Sequence, residues 1–352
     1  MSREALARNS EIQSDCEGYY EPNLPRQREG RGNPCSEQQG KPLADRGERA
    51  MIEIFHVSDL HFGQIVPDPD YERKAKWLLK QIEDRFSIDM EPNTIRYLLV
   101  TGDVTQGGSK AQYQRAKGAL SFFKDKVWLT PGNHDWSVVL GNIYRPDCAR
   151  RFDKFAQELG FKHAFFGKKP WSQTFPEPPA SAELLVIGLN SCKRLGFWNL
   201  SRGKIGRKNL QWLSVELAKP EYEKLPKIVF LHHDPIDSPI SIAMALDDHE
   251  EFVKIVEGRA LVVAFGHEYG RLPHPAELPP VTKLQIIKQG TSIGSQAKGL
   301  VGGKSNTHYL DADNSVKEHS CYKITVDQQK VNLTVEVFAP PLDTAEAETG
   351  RA

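Results

Sequence analysis

The sequence predicts an α/β fold: parallel strands covered by helices, arranged as two sheets within one domain. Three observations lead to it. From residue 51 onward, short apolar runs rich in Val, Ile and Leu alternate with stretches of helical periodicity, the rhythm of strand–helix–strand units. Five of the apolar runs end in a polar cluster containing Asp, Asn or His. No long linker divides residues 51–340, and no internal repeat is present.

Residues 1–50 are dominated by Glu, Arg, Gln, Gly, Pro, Asn and Ser, with Leu6, Ile12, Leu24 and Leu43 isolated. Such a segment cannot bury enough apolar surface to offset the entropy of ordering it, and a disordered N-terminal arm is expected. The first strand is the β-branched run Ile52, Ile54, Val57 around Phe55. Ala75, Leu78, Ile82 and Phe86 recur at three- and four-residue spacing and predict an amphipathic helix after the Asp68-Pro69-Asp70 turn. Ile95–Val100 is a second strand, Ser109–Phe123 a helix, Lys126–Leu129 a third strand and Arg145–Leu159 a helix. The second half continues with a strand at Leu184–Leu189, a helix face at Leu210, Leu213 and Leu217, and a strand at Lys227–Leu231. A helix over Ser241–Val256 and a strand at Ala260–Phe265 follow. Three further strands are expected at Lys283–Lys288, Cys321–Val326 and Val331–Val337. Polar residues 341–352 form a flexible C-terminal tail.

Composition narrows the function class. Of 352 residues, 39% are hydrophobic and 26% charged, enough apolar content for a substantial core. Lys plus Arg and Asp plus Glu both number 46, so global charge gives no reason to expect nucleic acid as a partner. The five cysteines are widely spaced and form no Cys-x-x-Cys pair, which argues against a zinc ribbon or disulfide scaffold and for free thiols in a reducing compartment. No apolar run has the length of a membrane span, and residues 2–8 lack a signal-peptide core. A cytoplasmic protein with no membrane partner is expected; no oligomeric state is specified.

The chemistry lies in the strand ends. Asp59 and His61, two apart at the end of a strand, can face one point beyond it; an oxygen and a nitrogen donor converging there suit a first-row divalent metal. Asp103, Asn133 with His134, His232 with His233, and His267 end the other four strands. In open α/β sheets, ligands bind outside the carboxyl ends of strands. A single histidine is usually a satisfied loop residue, but five placements at the same end of successive strands are not. Gly102, Gly132 and Gly266 sit just before the polar residues, where the backbone must turn sharply. Trp136 directly follows the Asn133 cluster and is expected to line a substrate pocket.

In this order, Asp59-x-His61, Gly102-Asp103, Gly132-Asn133-His134-Asp135, His232-His233 and Gly266-His267 resemble the calcineurin-like metallophosphoesterase family over about residues 51–295. The short core and His-His element look closest to its cyclic-nucleotide phosphodiesterase branch. The resemblance implies a four-layer αββα sandwich, two mixed sheets flanked by helices, with two divalent metal ions (Mn, Fe or Zn) at its edge. It implies Asp59 and His61 on the first metal, Asp103 bridging both, and Asn133, His232 and His267 on the second. Two cations so held clamp the oxygens of an in-line displacement and lower the pKa of a bridging water. His134 would touch the phosphate and assist the leaving oxygen, and Asp135 either orients His134 or caps the following turn. Matching His-His-x-Pro favours His232 as the ligand; spacing back from Pro235 favours His233; the reading takes His232.

The sequence departs from the family twice. The usual Gly-His-x-His ending is here Gly266-His267-Glu268-Tyr269. Water, Tyr269 or Glu268, or a distant His274 or His308 could fill the place of the missing histidine, and a first site weakened by Tyr269 is favoured. The Asp-Arg pair that family protein phosphatases carry after the bridging aspartate is Gln106-Gly107 here, which argues against a protein phosphatase. The function expected is a metal-dependent phosphohydrolase, a phosphodiesterase on a nucleotide or other small phosphodiester, by metal-activated hydroxide attack on phosphorus. The alternatives are a nuclease of the same fold, which the absence of a basic stripe disfavours, and a non-catalytic scaffold of that fold.

Overall fold

The computed structural model describes residues 51–64, 69–88, 93–138, 143–165, 169–176, 182–192, 201–235, 246–267, 299–301, 308–311, 320–327 and 330–338. In chain order the elements are β1 Met51–Val57, α1 Tyr71–Ser87, β2 Thr94–Val100, α2 Lys110–Leu120, β3 Val127–Leu129 and the short α3 Asn133–Trp136. The hairpin strands β4 Ser137–Val138 and β5 Ile143–Tyr144 follow, then α4 Pro146–Glu158, β6 Trp171–Phe175 and β7 Leu184–Gly188. Next come α5 Arg207–Leu217, β8 Lys227–Phe230, α6 His249–Val256 and β9 Val262–Phe265. The last four are β10 Gly299–Val301, β11 His308–Asp311, β12 Ser320–Asp327 and β13 Lys330–Val337.

Two mixed sheets carry the fold. The first runs β13-β12-β1-β2-β3 and the second β10-β11-β9-β8-β7-β6. Strands β1, β2 and β3 are mutually parallel, with β12 antiparallel to β1. In the second sheet β7, β8, β9 and β11 are parallel, with β6 and β10 antiparallel at the edges. Parallel strands present their carboxyl ends along one edge of each sheet, so both sheets can supply residues to one place.

Strand alternation shows the layers. On β7, β8 and β9, Leu184, Val186, Ile228, Phe230, Val262 and Ala264 belong to the larger core. The alternate residues Leu185, Ile187, Val229, Leu231, Val263 and Phe265 pack with Leu210, Leu213 and Leu217 of α5 and Phe252 and Val256 of α6 in a second core. Period-2 alternation thus sends one face inward and the other to a helix layer. The first sheet does the same. Tyr97 and Trp128 meet Phe175 of β6 at ring-centroid distances of 5.1 and 4.6 Å, which puts their face against the second sheet. Phe55, on the other face of β1, lies 5.5 Å from Phe86 of α1. The layers are therefore helix, sheet, sheet, helix, as the resemblance implied.

Helix starts follow local chemistry. Ser109 caps α2 with a capping box: its Oγ accepts from Gln112 N at 3.3 Å, and Gln112 Oε1 accepts from Ser109 N at 3.2 Å. Pro146 occupies the first turn of α4, where its missing N–H costs nothing. The predicted helix over Ser109–Phe123 ends its last turn as a 3₁₀ segment, Ser121–Phe123. Strands β6, β10 and β11 and the small hairpin were not expected. Trp171–Phe175 is apolar only at its two ends, with Ser172, Gln173 and Thr174 between them, and carries no alternation that separates it from a loop. Of the predicted helix over Ser241–Val256, α6 covers His249–Val256, and residues 241–245 lie outside the described residues. So do the expected N-terminal arm, the strand at Lys283–Lys288 and the C-terminal tail. No helix among the described residues is long and apolar enough to cross a membrane.

Phe230 is fully buried between the sheets, 5.6 Å from the Trp171 ring, whereas Val215 on α5 is 66% exposed. Phe230→Ala should cost about 3–5 kcal/mol of unfolding free energy, and Val215→Ala should stay within about 0.5 kcal/mol of the parent. Urea denaturation of the two variants measures both.

Candidate metal centre

The centre forms where the carboxyl ends of β1, β2 and β3 meet those of β8 and β9. Main-chain bonds align the loops of the first sheet: Asp59 N donates to Gly102 O at 3.1 Å and His61 N to Asp103 O at 2.9 Å. The sheets are tied to each other at the same edge. Thr130 Oγ1 donates to Leu189 O at 2.8 Å, and His232 Nδ1 pairs with Thr101 O at 2.8 Å.

Backbone conformation departs from the expected extended geometry. Strand β1 ends at Val57, and Asp59 (φ 55°) and His61 (φ 41°) are both left-handed. Their convergence comes from two left-handed residues on either side of Leu60, not from the period of a strand. Asp103 (φ 47°) and His267 (φ 86°) share this conformation. Such residues cost free energy and persist only where neighbours over-determine them, which is typical of functional sites. Close approach explains two glycines. A Cβ at Gly132 would collide with the Asp103 carboxylate, and one at Gly266 with Ser58 Oγ and Asp59 Oδ2.

All six sequence-predicted ligand candidates are buried and brought together. Around Asp103 Oδ2 stand His232 Nε2 at 3.4 Å, His61 Nε2 at 3.7 Å and His134 Nε2 at 3.9 Å. Asp59 Oδ1 lies 3.6 Å from His61 Nε2. His232 Nε2 is also 3.1 Å from Asn133 Oδ1 and 3.0 Å from His267 Nδ1. Two groups have donor atoms mutually within 4.8 Å, His61–Asp103–His134 and Asp103–His232–His267, and Asp103 belongs to both. His232 belongs to the second of these groups, and the His233 ring stands beside it, 4.4 Å from the His267 ring. His233 Nδ1 is 2.8 Å from Ser191 Oγ, and its ring packs where a Cβ on Gly203 would sit.

The fit to metal ions rests on what these atoms lack. Asp59 Oδ1 and Asp103 Oδ2 are buried carboxylate oxygens that accept no hydrogen bond. Leaving such atoms unsatisfied is expensive, and cations between them and the imidazoles would satisfy both. The donor set is carboxylate oxygen, amide oxygen and imidazole nitrogen, suited to a first-row divalent metal.

Burial and neighbouring charges set the protonation of these groups. Burial works against charge on Asp103, but the His232 and His134 imidazoles outweigh it and hold the carboxyl well below its ordinary range. Burial likewise disfavours charge on His232, yet the Asp103 carboxylate beside it raises the imidazole to about 9. Burial and then His232 push His267 down to about 3. One proton on His232 thus supplies positive charge at the point where Asn133, His267 and Asp103 converge.

His134 and Asp135 divide their labour. His134 Nδ1 donates to Gln106 O at 2.9 Å, which fixes the tautomer and turns Nε2 toward Asp103. Its backbone N donates to Asp103 Oδ1 at 2.9 Å. The hydrogen bonds of Asp135 match neither of the two roles considered for it, an orienting bond to His134 or a cap on the following turn. Its Oδ1 accepts from Thr105 N and Thr105 Oγ1, both at 2.9 Å, and its Oδ2 accepts from Val104 N and Gly132 N, both at 3.1 Å. It clasps the Asp103 loop to the Asn133 turn and makes no hydrogen bond to the His134 ring. Trp136 is fully buried in the larger core, against Tyr144, where the expectation had it lining a substrate pocket. Adjacency to the Asn133 cluster was the signal for it, and at the end of α3 its ring packs into the core instead. Thr101, Ser191, Tyr71 and the Gln106 carbonyl were missed. Hydroxyls and main-chain oxygens carry no spacing signal, although Thr101 and Thr130 each directly follow a predicted strand. Glu268, Tyr269 and His274 lie outside the described residues, as does the side chain of His308.

Residues 52–271 match the calcineurin-like phosphoesterase family. A 3′,5′-cyclic-nucleotide phosphodiesterase from a Nostoc species is 22% identical over 260 residues, covering 70% of this chain and 84% of that one. A probable cyclic nucleotide phosphodiesterase from a Synechococcus species is 23% identical, covering 76% and 96% respectively. The crystal structure of a dimetal phosphatase from Danio rerio superposes with a TM-score of 0.50 at 13% identity, covering 81% of this chain and 95% of that one, and shares the fold. With a match over 220 of 352 residues (271 − 52 + 1), the chain belongs to the calcineurin-like phosphoesterases, a family of phosphoric ester hydrolases.

Proposed function

We propose that this centre hydrolyses a small phosphodiester, with a nucleotide diester such as a cyclic nucleotide as the favoured substrate. One observation carries the reading: two candidate metal-binding groups share Asp103, and His134 Nε2 stands beside that shared oxygen. The names of the relatives from Nostoc and Synechococcus support a cyclic nucleotide in particular.

In this reading Asp59, His61 and Asp103 hold one divalent ion, and Asp103, Asn133, His232 and His267 the other. When bound, the pair supplies Lewis acidity toward phosphate oxygens and a lowered pKa for water between them. The chain's own residues do the rest. Asp103 would supply anionic oxygen to both ions, while its Oδ1 accepts from the His134 backbone N–H. The Gln106 carbonyl keeps a proton on His134 Nδ1, so Nε2 is the nitrogen that would take a proton released by the attacking water and pass it to the leaving oxygen. Asp135 keeps the Asp103 loop and the Asn133 turn in register throughout, because its carboxylate accepts from both. The buried setting strengthens each of these contacts.

Manganese-loaded protein should cleave bis(p-nitrophenyl) phosphate and 3′,5′-cyclic nucleotides faster than p-nitrophenyl phosphate. No hydrolysis of any aryl phosphodiester or monoester at saturating manganese would sink the enzymatic reading. His134→Ala should lower kcat by about 10²–10⁴-fold with metal content unchanged. Asp103→Ala should remove activity and bound metal together while circular dichroism stays native.

The His232 proton predicts the pH dependence of metal uptake. Its pKa is raised to about 9 in the metal-free protein, and a cation must displace that proton. Manganese affinity should therefore rise with pH, by about tenfold per unit up to about pH 9. The stability sign is opposite in the metal-free protein. A raised imidazole pKa stabilises below the unfolded value of about 6.5, and that contribution is lost as pH rises through about 9. Thermal melts of chelated protein should fall over this window while manganese titrations tighten; metal affinity independent of pH would contradict the assignment.

A further inference from the structure

Tyr71 is the first residue of α1 and is buried, far in sequence from every other residue discussed at the centre except Asp59 and His61. Its hydroxyl donates to the Asp59 carbonyl at 2.6 Å. Its ring meets the His61 imidazole edge-on, with centroids 6.0 Å apart at 69°. We propose that Tyr71 is a positioning residue for the Asp59–His61 half of the centre, setting its metal affinity by fixing the Asp59 backbone and bracing the His61 ring.

The argument starts from the left-handed backbone of Asp59, φ 55°. A non-glycine residue holds that conformation only where its polar groups are tied. Asp59 N donates to Gly102 O at 3.1 Å, and Asp59 Oδ2 accepts from His267 N at 3.0 Å. Those two ties come from the sheets themselves. The remaining main-chain group, the carbonyl, is held by Tyr71 from the helix layer. With three groups fixed, Oδ1 is the oxygen left without a hydrogen bond, directed within 3.6 Å of His61 Nε2. Without the Tyr71 hydroxyl the Asp59 peptide can rotate, and Oδ1 loses its fixed direction.

A buried tyrosine hydroxyl nearly always finds some partner, so the bond alone would say little. The second contact makes the difference: the same side chain touches both residues that would hold one ion. The packing of α1 supplies the leverage. Ala75, Leu78, Leu79 and Ile82 bury the helix face that begins with Tyr71, so the ring stands on a rigid element. Partners one step behind a metal ligand commonly tune affinity by about 10–100-fold.

This inference rests on the assignment of Asp59 and His61 to one metal, and the test separates it from the hydrolase reading. Manganese is titrated by calorimetry into chelated wild-type protein, Tyr71→Phe and Ser172→Ala. Ser172 Oγ donates to Glu216 Oε1 at 2.7 Å on the second sheet, so its variant controls for loss of a hydrogen bond elsewhere. Tyr71→Phe should weaken one manganese step by about tenfold and leave the other at its wild-type midpoint, while Ser172→Ala shifts neither. The melting temperature of each chelated variant, read beside the titration, separates a general loss of stability from the selective effect. Tyr71→Phe with every manganese step at the wild-type midpoint overturns the inference, whatever the activity. An inactive wild-type protein whose manganese step still weakens in Tyr71→Phe upholds it while sinking the hydrolase reading.

Discussion

The interaction on which this structure depends is the burial of the Asp103 carboxylate between two sheets. One oxygen accepts the His134 backbone N–H; the other accepts nothing and faces three imidazoles. An ionised carboxylate in such a place is costly unless positive charge compensates it. The surrounding histidines do so in part, and His232 holds a proton for that reason. Much of the neighbouring architecture follows. The left-handed residues, the glycines with no room for a Cβ, and the Asp135 clasp all bring donors to that one oxygen.

The two sheets explain why the centre can be both precise and enclosed. Each sheet alone would offer a row of loops. Tying Thr130 to Leu189 and His232 to Thr101 turns two edges into one rigid rim. Ligand groups then sit on the ends of packed strands, whose cores on both faces leave little freedom. The Asn133–His134 turn is set against the Asp103 loop by a single carboxylate that accepts from both segments.

What was legible in the sequence was the alternation of elements and the residues at strand ends. Parallel strands buried on both faces give continuous apolar runs, and their ends give abrupt polar ones, so β1, β2, β3, β7, β8 and β9 could be read directly. Edge strands such as β6, and β12 with its polar outer residues, carry weaker signals; β12 was found because Cys321–Val326 alternates cleanly and β6 was not. The ligand candidates were legible as residue types, but the reason they converge was not. Asp59 and His61 meet through left-handed backbone, a conformation that no local pattern announces. The partner of His233, the Ser191 hydroxyl, is 42 residues away in sequence and had no local signal. Trp136 was misplaced because adjacency in sequence says nothing about which way a short helix turns its side chains.

The central claim is that two metal sites share Asp103. A crystal of the protein grown with manganese, with diffraction collected across the manganese absorption edge, tests it directly. Two anomalous peaks on either side of the Asp103 carboxylate are predicted, one beside Asp59 and His61 and the other beside Asn133, His232 and His267. A single peak away from Asp103, or peaks that leave its Oδ2 without a cation, would contradict it.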